Sequence, residues 1–72
     1  MATTLSNEDK LSLVGQHIKS IDFQIYSIEL DLIEANALTQ KDTENIASLN
    51  ARLEPLQAKR TALIAEQDSL IE

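Results

Sequence analysis

Apolar residues recur along this chain with a period that a strand cannot hold for long. From Leu11, the series Leu11, Val14, Ile18, Ile21, Ile25, Ile28, Leu32 and Ala35 advances in steps of 3, 4, 3, 4, 3, 4 and 3. That is the a and d seam of a heptad repeat, a single stripe along one face of a helix. The segment IDFQIYSIELDLIE (residues 21–34) also alternates apolar and polar residues in two short pieces, as a half-buried strand would. The alternation changes phase at Tyr26–Ser27, whereas the helical series runs without a miss over 25 residues. The pattern predicts a helix over about residues 7–36, with Ser6 as its N-cap and Asp9 at capping-box spacing.

The stretch NALTQKDTEN (36–45) is the one polar break. Asn36 suits a helix end in the left-handed conformation, and Thr39, followed by Asp42, suits the cap of a second helix. This places a turn at about 37–41 and helix 2 at about 42–71. There Ile46, Leu49, Leu53, Leu56, Leu63 and Leu70 continue the heptad, with Arg60 and Gln67 as polar a residues. Pro55 falls at an exposed c position. It is expected to kink helix 2 and leave one backbone bond unmade near Ala51, at about 3 kcal/mol if nothing compensates.

The heptad phase survives the break, so one helix of roughly 65 residues, ~95 Å long, is formally allowed. The flanking positions favour a hairpin. Folding back at residues 40–41 pairs residues whose numbers sum to 81. Leu11 then meets Leu70, Ile18 meets Leu63, Ile25 meets Leu56, Ile28 meets Leu53, Leu32 meets Leu49, and every a faces a d. The same register sets Asp31 opposite Arg52 and His17 opposite Glu66, and places Gly15 beside Ile64. A parallel dimer would set Gln24 against Glu29 and Asp31 against Asn36, with no complementarity. Exposed pairs contribute only a few tenths of a kcal/mol each, enough to choose a register but not to hold a fold. The expected fold class is all-α: an antiparallel two-helix coiled-coil hairpin.

Helix 1 carries a second stripe. Phe23, Tyr26, Leu30, Ile33 and Ala37 also step by 3, 4, 3 and 4, at f and b positions away from the seam. Helix 2 has a milder counterpart in Ala47, Ala51, Ala58 and Ala65, small enough for another helix to approach closely. A helix apolar on two sides is one that is covered on two sides, and a hairpin partner covers only one. The expectation is therefore self-association into a helical bundle. A chain of 72 residues supports this, because so short a chain buries little core by itself.

Composition narrows the functional classes. With no Cys and one His, the chain offers no disulfide, thiolate or His-rich metal site, and fits a reducing compartment. Twelve acidic against six basic residues give a net charge of −6, which argues against a nucleic-acid partner. No apolar run reaches the ~18 residues of a membrane span, and no signal-peptide core is present, so the expected location is the cytoplasm. His17 reads as a solvated flank residue near Glu66. Arg60 reads as a residue that either snorkels its charge to water or sets register and orientation, rather than as an anion site in a bundle core. Asp22, Glu29, Asp31 and Glu34 lie on different faces and read as solvated surface rather than as a catalytic dyad. With no nucleophile–base pair, phosphate loop or metal constellation, no enzymatic activity, cofactor or metal is expected.

The stretches NEDKLSLVGQHIKSIDFQIYSIELDLIEANAL, DTENIASLNARL and PLQAKRTALIAEQDSLIE resemble small helical proteins encoded by tailed phages that infect cyanobacteria. The resemblance covers most of the chain and implies a phage accessory or virion-associated protein in a bacterial cytoplasm or a virion, with no site residue to carry over. A second likeness is to the short acidic hairpin chaperones of type III secretion, without their aromatic and Gly/Pro turn residues. Three functions are therefore in view. The first is a structural protein that oligomerises with itself. The second is an adaptor or chaperone burying a helical segment of another protein. The third is an oligomer sequestering a small anionic ligand through Lys19, Arg52, Lys59 or Arg60.

Overall fold

A computed structural model of the chain describes residues 4–71. It contains two helices, α1 (Asn7–Asn36) and α2 (Thr43–Ile71), which pack against each other as a hairpin. The helical period therefore governs, and the alternation in 21–34 produces no strand. Nor does the chain continue as one long helix, since residues 37–42 lie outside both elements. The described residues span 54 × 20 × 16 Å, a rod two helices wide.

The start of α1 follows from Ser6. Its backbone is extended (φ −70°, ψ 161°), and its Oγ accepts the Asp9 N–H at 3.1 Å. Glu8 and Asp9 place negative charge in the first turn, where the helix dipole favours it. The other end departs from expectation, because no described residue has a left-handed backbone. Instead, the Asn36 side-chain amide donates back to the Leu32 carbonyl at 2.8 Å, which holds Asn36 in the last turn. Ala37 stays right-handed (φ −78°, ψ −14°), and its N–H is shared between the Ile33 and Glu34 carbonyls at 3.1 and 3.2 Å.

The cap of α2 is Asp42 rather than Thr39, so the helix begins one residue later than the pattern indicated. Asp42 Oδ1 accepts the Asn45 N–H at 3.1 Å, while its carbonyl accepts the Ile46 N–H at 3.0 Å. A carboxylate is favoured at the positive end of a helix. From there α2 runs as one element through Pro55. Proline has no N–H to donate, so the Ala51 carbonyl lacks its partner four residues on. Both Pro55 and Ala51 are exposed.

The core is the seam between the helices. Ile18, Ile21, Ile28 and Ala35 of α1 and Leu49 of α2 are buried. Leu11, Val14, Ile25, Leu32, Ile46, Leu53, Leu56, Leu63 and Leu70 are half-buried, as are the polar Arg60 and Gln67. Ile28, at 3%, is the least exposed of the buried set, and no described side chain is completely enclosed. Two helices have only one contact face each, so the seam keeps an open edge on either side.

Candidate interaction surface

Side chains at f and b of α1 lie away from the seam. Phe23 is 67% exposed, Ile33 64%, Tyr26 60% and Leu30 42%, and Ala37 is exposed beside them. The 3–4 spacing sets these side chains in one line along the helix. Lys19 Nζ lies 6.0 Å from the centre of the Phe23 ring, at the outer limit of a cation–π contact. Leu13 and Leu38 are further large apolar residues on the α1 side of the molecule that face water. On α2, Ala47, Ala51, Ala58 and Ala65 are all exposed.

The borders of the α1 stripe are acidic. Positions e and c flank an f/b stripe on a helical wheel, and here they hold Asp22, Glu29 and Asn36 on one side and Ser20, Ser27 and Glu34 on the other. No basic residue stands among them. Asp22 is drawn inward: its Oδ1 accepts from Arg60 Nε at 2.6 Å, the one ion pair among the described residues. The hydrogen bond and then the charge of Asp22 push the Arg60 guanidinium above its ordinary pKa. Whatever stability the guanidinium gains from the charged carboxylate is present below its ordinary pKa and is lost as pH rises through the raised value.

This pair adds to two readings: Asp22 and Arg60 both remain nearly half exposed, and each also engages a residue of the facing helix. The flank pairs read from the sequence do not close as ion pairs: no such contact joins Asp31 to Arg52 or His17 to Glu66. Gly15 is not packed against Ile64 either, since a Cβ built there meets nothing within 4 Å.

The two edges of the seam differ. The e edge carries the Arg60–Asp22 bridge. The g edge is an open furrow, lined in sequence by Ile21, Gln24, Leu56 and Lys59, then by Ile28, Arg52 and Pro55, then by Asp31, Ala35 and Leu49. Its floor is the d residues of both helices, of which Ile21, Ile28, Ala35 and Leu49 are buried and Leu56 is half-buried. Its middle third holds Arg52 and Lys59 with no acidic residue in the lining. Phe23 stands on the rim there, belonging to both the furrow and the outer stripe.

Among the described residues no three His, Cys, Asp or Glu side chains gather at metal-binding distance, and no helix is long and apolar enough to cross a membrane. The molecule presents an acid-bordered apolar ridge next to a furrow that holds Arg52 and Lys59 in its middle and Asp31 and Glu34 toward the turn. No family model matches the chain, and neither the curated proteins nor the solved structures yield a match.

Proposed function

We propose that this chain is a non-enzymatic assembly protein, an antiparallel coiled-coil hairpin that associates with further copies of itself through the outer face of α1. The observation that supports this reading is the unbroken line of Phe23, Tyr26, Leu30 and Ile33, exposed on a hairpin with no fully enclosed side chain. Burying such residues contributes about 1.5–3 kcal/mol per side chain before the costs of association. That is comparable to the whole stability expected of a two-helix unit this small. The resemblance to cyanobacterial phage proteins adds a setting, in which the oligomer serves as an accessory or virion-associated component.

A partner-free solution mass tests the reading. Light scattering or sedimentation equilibrium at roughly tens of micromolar should return a dimer or larger. A clean monomer there would overturn it and favour an adaptor that holds its face for a helix of another protein. The sequestering alternative loses one of its four basic residues, because Arg60 is already engaged by Asp22.

A further inference from the structure

The furrow on the g edge and the stripe on α1 fit each other between two copies of the chain. We infer that the Phe23/Tyr26/Leu30/Ile33 ridge of one copy seats in the Arg52/Lys59 furrow of another, and the reverse. This rests on the self-association proposed above and specifies its geometry.

The argument for a second copy as the occupant is charge. In a chain of net charge −6, the middle of the furrow is walled by Arg52 and Lys59 without an acid in its lining; Asp31 and Glu34 line the adjoining stretch toward the turn, but no ion pair joins either basic residue to another described residue. A natural occupant is an apolar helix with acidic borders. The α1 segment 21–34 is such a helix: it holds Asp22, Glu29, Asp31 and Glu34 and no basic residue. Of the acids bordering the ridge, Asp22 is occupied by Arg60, which leaves Glu29 on one border and Glu34 on the other. The apolar match comes from Leu56, half-buried on the furrow floor, and from Pro55, exposed on its wall, with Ile28 already buried beneath them.

Position supports reciprocity. Phe23 belongs to the ridge and stands on the furrow's rim, so the two surfaces adjoin on one molecule. Two adjoining, mutually complementary surfaces allow a twofold pair in which each copy gives its ridge and receives its partner's.

A charge exchange tests this. One variant carries Arg52→Glu and Lys59→Glu, the other Glu29→Lys and Glu34→Lys; all four positions are exposed. Each variant alone sets like charges against like at both contacts and should associate at least about a hundredfold more weakly than the parent. Mixed in equal amounts they should form a one-to-one complex of near-parental affinity, because both contacts then pair opposite charges. Native mass spectrometry resolves that heterodimer from either homodimer. If the parent associates but the variants associate as well as it does, or their mixture recovers nothing, the ridge-in-furrow geometry is wrong and self-association by another route stands. A monomeric parent overturns both.

Discussion

At the scale of single residues, Gly15 marks an avoidable weakness in α1. Glycine in a helix interior costs about 0.5–1 kcal/mol relative to alanine, and is retained where a side chain would clash. Here a Cβ meets nothing within 4 Å and the backbone is not left-handed. Gly15→Ala should therefore raise the melting temperature by about 3–6 °C, measured by circular dichroism, with no change in oligomer mass. A fall would mean that another chain packs closely against this glycine in the assembled protein. Arg60 shows a different compromise. At an a position it takes the place of an apolar side chain in the seam, and it reaches across to Asp22 at 2.6 Å. Both side chains remain nearly half exposed, so the pair's value lies in fixing how the helices align more than in holding them together.

At the scale of elements, the seam was legible because burial of one helix face imposes a period on the sequence, and the period persists over both helices. The helix ends were less so. Thr39 and Asp42 are both acceptable caps by type, and only the course of residues 37–42 decides which one faces the free N–H groups. Asp42→Ala should cost about 1 kcal/mol and lower the melting temperature, while Thr39→Ala should leave it unchanged within about 0.5 kcal/mol. Equal effects would place the cap elsewhere. The Arg60–Asp22 bridge escaped the sequence for a related reason. The heptad pairs flank residues g with g or e with e, whereas a long a-position side chain reaches an e residue of the facing helix. The furrow was hidden too, because a heptad pattern says which residues face the partner and nothing of how far the seam stands open on each edge.

At the scale of the whole molecule, the hairpin is a rod with a thin core, and its stability should depend on how many copies are present. Only Leu49 of α2 is buried to the degree that Ile18, Ile21, Ile28 and Ala35 of α1 are, so the second helix has gained little from the first. If association covers the ridge and the furrow, unfolding is coupled to dissociation, and mass action ties the melting temperature to concentration. A tenfold rise in concentration adds about 1.4 kcal/mol per dimer, which for a unit of this combined size moves the midpoint by about 3–6 °C. Ile33→Asp separates the ridge from the seam. In an isolated hairpin a side chain 64% exposed contributes little, so the substitution should shift stability by no more than about 0.5 kcal/mol. In the assembled protein it drives a carboxylate into an apolar contact, which should split the oligomer and flatten the dependence on concentration. Thermal unfolding of both proteins across a hundredfold range of concentration reads this directly. A parent whose midpoint does not move over that range is a hairpin that stands alone, and its exposed ridge is then kept for something other than itself.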